Sequence, residues 1–254
     1  MPDKRPLLAV LIDADNTSPK HAAAIFEEVA SFGEASVRRI YGDFSSPQLS
    51  GWNKILLEHG LNPQQSPAYT TGKNSSDIAL VIDGMDLLHT GRFEGFVLVS
   101  SDSDFTRLAS RIREQGLDVY GIGQKKTPDA FRKACKRFIF VENLGSDTND
   151  AGPAPTTAPA RPSTAQTDVA PDNGNTKEPP SKVIPLVLAA MRSIDPDGDW
   201  YTLGQLGQYL VSANPEFDPR TYGSAKLSDL LRKSGRFEVA QRQGGNHLDV
   251  RRLD

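Results

Sequence analysis

Apolar positions in the first 144 residues follow two alternating rhythms. Short runs at 7–12, 37–41, 96–99, 118–122 and 138–141 have the length and β-branched or aromatic content of buried strands. Between them lie stretches with helical spacing, at 19–32, at 48–58 and around Asp129–Cys135. Two further stretches carry Ile78, Val81, Ile82, Met85 and Leu88, and Phe105, Leu108, Ala109 and Ile112. A short extended piece near 61–65 completes the set. Strand–helix alternation of this kind predicts an α/β fold, a parallel sheet between two helical layers.

That rhythm stops at residue 145. Residues 145–180 consist mainly of Pro, Ala, Thr, Asp, Asn and Gly, with Val169 the only aliphatic side chain larger than alanine. Such a segment buries too little apolar surface to offset its ordering entropy, which predicts a disordered linker. Periodicity returns with helices predicted at 182–194, 203–211 and 222–233, the last with Leu227, Leu230 and Leu231 inward. Two strands, 237–240 and 248–252, flank Gly244-Gly245-Asn246 and read as a hairpin. Three helices and a hairpin predict a small winged helix-turn-helix domain. The domain plan is therefore 1–144, a linker at 145–180, and 181–254.

Charge and cysteine content narrow the function classes. A net charge of −3 argues against a generic polybasic binder of nucleic acid or membrane, so any such contact needs a local patch. Cys135 is the sole cysteine, so no internal disulfide forms, and by type it is a small buried hydrophobe. No apolar run reaches membrane-spanning length, and the run at 7–12 is too short for a signal peptide and is followed at once by Asp13. The expectation is a cytoplasmic protein with no membrane partner.

The chemistry lies where strands end. The run beginning at Phe96 passes directly into Ser100-Ser101-Asp102-Ser103-Asp104, with Asp104 read as a helix N-cap. The first strand ends in Asp13-Ala14-Asp15-Asn16-Thr17. In a sheet with right-handed crossovers these ends share an edge, where ligands of α/β folds bind. Asp77, at the start of the helix that contains Ile78 and Val81, reaches the same edge. Asp13, Asp77, Asp102 and Asp104 then converge, with Asn16 and Lys73 nearby. Four such carboxylates need a counter-charge, and Mg²⁺ or Mn²⁺ prefers oxygen ligands. One or two such ions activate water toward a phosphodiester, and Lys73 would steady a phosphate as a point charge. Asp15 reads as a cap of the first helix, a task Thr17 or Ser18 could equally do, Asp83 reads equally as a supporting acid or as a ligand, and Asp86 as a solvated helix residue. His21, His59, His89 and His247 are scattered and read as surface residues.

Together Asp13-Ala14-Asp15-Asn16, Arg39-Ile40-Tyr41-Gly42-Asp43, Gly72-Lys73-Asn74-Ser75-Ser76-Asp77 and Ser100-Ser101-Asp102-Ser103-Asp104-Phe105 resemble the NYN family of PIN-like nuclease domains. The resemblance spans nearly all of 1–144. It implies a metal-dependent ribonuclease with Asp13, Asp77, Asp102 and Asp104 as metal-binding acids and Asn16 helping to hold the ligand set; Lys73 and Ser101, beside these acids in the sequence, are read as substrate-binding. Asp83 matches a further acidic position of the family. The C-terminal piece is similar to the OST-HTH (LOTUS) domain through Leu206, Tyr209, Phe217, Tyr222-Gly223, Lys226-Leu227, Leu230-Leu231 and Phe237-Glu238-Val239. That similarity implies contact with single-stranded or structured RNA, or recruitment of a protein partner. Lys226 and Lys233, with Arg220, Arg236, Arg242, Arg251 and Arg252, would supply a basic face; the competing reading is that these are ordinary solvated charges.

Three alternatives remain at this point. Asp13-Ala14-Asp15-Asn16-Thr17 also satisfies the Asp-x-Asp-x-Thr pattern of haloacid-dehalogenase phosphotransferases, but Lys73 then comes too early in the chain for that order. A non-catalytic RNA-binding adaptor would retain the fold without the chemistry. A DNA substrate would be cut by the same site.

Overall fold

The computed structural model of the chain describes residues 5–66, 75–145, 177–241 and 247–253. The first unit is an α/β domain in which strands and helices alternate. They run β1 (Leu7–Asp13), α1 (Ala22–Phe32), β2 (Glu34–Gly42), α2 (Ser50–Asn53), β3 (Asn62–Gln65), α3 (Ser75–His89) and β4 (Gly95–Val99). Then follow α4 (Thr106–Glu114), β5 (Asp118–Gly123), α5 (Asp129–Ala134) and β6 (Arg137–Phe140). The six strands are all parallel, in the order β3-β2-β1-β4-β5-β6. This is the doubly wound order whose direction reverses between β1 and β4, and such a switch point opens a crevice at the strands' carboxyl ends.

Burial on both faces explains the unbroken apolar runs of the central strands. Leu8, Val10 and Ile12 of β1 pack with Ile25 and Val29 of α1 and with Trp52 of α2. Ala9 and Leu11, on the opposite face, pack with Leu80 and Leu87 of α3 and Leu108 of α4. All five residues of β4 are buried. Gly84 lets α3 lie close to the sheet, because a β-carbon there would meet Leu108 and Leu11 at 3.2–3.3 Å.

Several expectations shift. The helix expected at 48–58 shrinks to a 3-10 turn at Pro47–Leu49 and the single turn of α2. Beyond it residues 54–60 run on in turns, with Ile55 and Leu56 partly buried against the core and Leu57 97% exposed. The buried stripe of α3 is Leu80, Gly84, Leu87 and Leu88, whereas Ile78 and Ile82 point outward. Of the five residues that marked this helix by their spacing, Leu88 is buried and Val81 and Met85 pack against the core, while Leu80 and Gly84 complete the inner face. Pro63 sits in β3, tolerated because β3 is a sheet edge.

The second unit is the expected winged helix-turn-helix with one strand more. It comprises α6 (Ile184–Ile194), β7 (Trp200–Thr202), α7 (Leu203–Ala213), α8 (Leu227–Ser234), β8 (Phe237–Gln241) and β9 (Leu248–Arg252). Its sheet is antiparallel in the order β7-β9-β8. Val187, Leu206, Leu210, Leu230, Leu231 and Val250 form its core. The helix expected over 222–233 begins only at Leu227. Before it, a 3-10 turn at Pro219–Tyr222 ends at Gly223, whose φ of +73° breaks the helical path. The hairpin turn at 244–246, Lys73, Arg242 and residues 146–176 of the linker lie outside the described residues. Among the described residues no helix is long and apolar enough to cross a membrane.

Candidate active site

The register of β1 against β4 builds the floor of the site. Leu11 lies opposite Leu98 and Ile12 opposite Val99, so the next pair in step is Asp13 with Ser100. Asp13 is 1% exposed, and its Oδ2 accepts a 2.7 Å hydrogen bond from Ser100 Oγ. The same Oδ2 accepts 2.8 Å from Asn16 Nδ2, while Oδ1 accepts from the backbone N–H groups of Asp15 and Asn16 at 3.1 and 3.2 Å. Burial raises the Asp13 pKa above the ordinary carboxylate range; Ser100 and Asn16 oppose the rise, and the Asp15 charge adds to it. Thr17 Oγ1 donates to the Val99 carbonyl at 3.3 Å, binding the loop after β1 to the end of β4.

Ser100 Oγ also accepts the Asp102 N–H at 3.0 Å, so one hydroxyl joins Asp13 to the Asp102 loop. Asp102, not Asp104, is the N-cap of the turn Ser103–Phe105, its Oδ1 accepting the Asp104 N–H at 2.9 Å. The N-cap shifts two residues because the chain first forms a 3-10 turn before α4. Ser101 Oγ accepts the Gln124 N–H at 2.9 Å, which fastens the same loop to the end of β5.

The first turn of α3 closes the third side. Asp77 stands there, and Ser76 Oγ donates to Asp15 Oδ2 at 3.1 Å. Asp15 therefore does not cap the first helix as its position suggested: it faces the start of α3, while Ser18 stands at the cap of the 3-10 turn Pro19–His21 and His21 at that of α1, neither with a side-chain cap bond. The Asp77 pKa is raised to about 6, first by burial and then by the charges of Asp13, Asp102, Asp15 and Asp104. Each of the four expected acids thus acts in one field, with Asp15 as a fifth.

Asp83 has a different task. Its Oδ2 accepts from Arg39 Nη1 at 2.8 Å and from the buried Tyr41 hydroxyl at 2.9 Å, tying α3 to β2. Burial and the Asp83 charge raise the Tyr41 pKa well above its usual value, so the phenol remains a donor. Lys226 and Lys233 belong to the second unit, at the start and within the last turn of α8, both exposed. Lys233 Nζ donates to the Gly223 carbonyl at 3.2 Å.

Sequence reading assigned no role to Ser100, and it undervalued Asp15. The signal for Ser100 was strand parity: it falls on the same side of β4 as Leu98, just as Asp13 falls on the side of Leu11. Asp15 gave no such signal, because its partner comes from a helix 61 residues away.

The donor chemistry suits a hard divalent cation, being carboxylate, hydroxyl and amide oxygen with no thiolate or imidazole among the converging groups. Among the described residues, however, no three Asp, Glu, His or Cys side chains are arranged to grip one ion. Asp13 turns both oxygens to Asn16, Ser100 and the backbone, and Asp102 turns Oδ1 to the Asp104 N–H.

A six-stranded parallel α/β domain with acids gathered at its switch point, followed by a small winged-helix domain, is a PIN-like architecture with a second, helical domain appended. The NYN domain matches residues 7–142 and the OST-HTH/LOTUS domain matches residues 176–248, so the chain belongs to the NYN family and ends in a LOTUS domain. A crystal structure of a protein of unknown function from Vibrio parahaemolyticus is similar at 18% identity and a TM-score of 0.47, covering 54% of this chain and 94% of that one. A solution structure of an uncharacterised protein from Nitrosomonas europaea is similar at 32% identity and a TM-score of 0.25, covering 42% and 92%. Among curated proteins nothing matches the chain.

Proposed function

We propose that the front domain is a Mg²⁺- or Mn²⁺-dependent ribonuclease that hydrolyses RNA phosphodiester bonds, and that the C-terminal domain binds RNA. The observation that supports it is the hydrogen-bonded chain Asn16–Asp13–Ser100–Asp102 across the β1/β4 switch point, with Asp77 of α3 facing the same crevice. Asp13, Asp77, Asp102 and Asp104 would hold the cation, which supplies a water acidified to hydroxide and a charge against the developing oxyanion. Asn16 and Ser100 hold Asp13 in orientation, and Ser101 fixes the loop that bears Asp102. Asp77, its pKa raised to about 6 by burial and by its acidic neighbours, is the carboxylate whose ionised form a cation would relieve most. Lys226 and Lys233, on the exposed face of α8, would meet phosphates of the captured strand.

The test is cleavage of labelled single-stranded RNA, with a DNA of the same sequence beside it, in Mn²⁺, in Mg²⁺ and in chelator. Asp13→Asn and Asp102→Asn should each lower the rate at least about 100-fold, the order expected when a metal-holding group is removed. No cleavage of either nucleic acid, together with no metal binding by calorimetry, would leave an RNA-binding adaptor as the reading. Binding of beryllofluoride at Asp13 would instead identify a phosphotransferase.

A further inference from the structure

The two domains meet in a contact that a flexible tether alone does not explain. Its centre is charged and half-buried: Arg220 Nη1 donates to Glu28 Oε2 on α1 at 2.9 Å, while Arg220 Nε and Nη2 hold Asp218 at 2.7–3.1 Å. Arg137 of β6 approaches the other Glu28 oxygen at 3.6 Å. Two arginines and two carboxylates form a neutral group whose side chains are only 5–34% exposed. Around it lie two bonds of higher specificity. The Phe138 N–H, on the open side of edge strand β6, donates to the Pro215 carbonyl at 2.9 Å. Asn143 Nδ2 donates to Thr221 Oγ1 at 2.8 Å, and both residues are buried.

An edge strand with unpaired N–H groups is ordinarily a liability that proteins cover. Here the C-terminal domain is the cover. Glu28 and Arg220, lying 192 positions apart, would each be solvated and weakly paired if the domains swung freely. Two crevices flank the contact. One of about 290 Å³ lies between Lys125 and Phe140 on one side and Phe217 and Tyr222 on the other. The second, about 460 Å³, is lined by Cys135 and Lys136 opposite Val211 and Pro215. The contact is therefore local and polar, as interfaces between domains of one chain commonly are.

We propose that the C-terminal domain is seated on the β6 edge of the front domain through Glu28, Arg220, Asn143 and the Phe138 N–H, forming a fixed docking interface within the chain. In the sheet order, β6 lies two strands from β4, beyond β5.

Small-angle X-ray scattering of the full chain reads the docking without reference to cleavage, so its failure is separable from failure of the nuclease reading. Wild-type protein should scatter as one compact particle at low salt. Glu28→Arg places a third cation beside Arg137 and Arg220 and should undock the domain. The radius of gyration should then rise measurably above that of the wild type. Hydrogen exchange of the Phe138 amide tests the wild type directly: it should be protected, and exchange at least about 10-fold faster in Glu28→Arg, whose circular dichroism and cooperative melting verify its folding. A wild-type profile that already fits two freely tethered bodies, or a fast-exchanging Phe138 amide, would overturn the proposal. So would a folded Glu28→Arg protein with unchanged scattering and exchange.

Discussion

Replacing Ser100 with alanine removes the one hydroxyl that serves both halves of the crevice. The side chain is 1% exposed, donates at 2.7 Å to a carboxylate that is itself 1% exposed, and accepts the Asp102 N–H at 3.0 Å. A hydrogen bond to a charged group contributes about 1.5–3 kcal/mol, and a neutral one about 1. Asp13 keeps Asn16 and two backbone N–H groups, so its desolvation is only partly uncovered. Ser100→Ala should therefore destabilise the front domain by about 2–3 kcal/mol, read as a fall in urea midpoint at unchanged slope. The penalty should be largest with Asp13 ionised and shrink as pH falls through its raised pKa, because a protonated carboxyl accepts the hydroxyl more weakly. A double-mutant cycle with Asp13→Asn isolates the pair and should give a coupling of about 1–2 kcal/mol. A loss below about 0.5 kcal/mol, or a penalty that grows toward acid, would refute the idea that Ser100 sustains the buried charge.

The remaining predictions test neighbouring parts. Asp77 is an acid whose folded pKa is raised, so it costs stability as pH climbs from its ordinary 3.8 through about 6. Asp77→Asn should therefore melt higher than wild type at pH 7 in chelator, by about 1 kcal/mol after solvent screening, with no gain near pH 3.5; an equal or lower melting point at pH 7 would contradict it. Asp83→Asn weakens the tie to Arg39 and Tyr41 and should cost about 1–2 kcal/mol in urea; cleavage by the folded variant should stay within several-fold of wild type, and abolished cleavage would place Asp83 in the chemistry. Lys226→Ala and Lys233→Ala should each weaken RNA binding and reduce its salt slope by about 1; unchanged slopes would show that α8 does not meet phosphate.

The chain's pattern of apolar positions was enough to specify a parallel α/β domain, a low-complexity junction and a small helical domain with a hairpin. Runs such as Leu7–Ile12 can be satisfied only by burial on both faces, and polar residues directly after them must lie at the sheet edge. That is why the placement of Asp13, Asp102 and Asp104 was legible: Asp13 closes β1, Asp102 and Asp104 follow β4 by a few residues, and strand ends are a local property. Asp77 was legible because it opens a helix. Gly84's place on the inner face of α3 was not, since a glycine that fits close to Leu11 and Leu108 leaves no apolar mark. Asp15 was misread as a cap because its partner, Ser76, arrives through folding. The β7 strand was missed because three residues pair only when β9, almost fifty residues later, lies beside them. The seat of the second domain on β6 was beyond sequence reading for the same reason. Glu28 and Arg220 are unremarkable surface charges until tertiary structure places them 2.9 Å apart and takes them largely out of water. Local periodicity determined which elements form and where acids end them; only the packed chain decided which of those acids share a field, and which charges become partners.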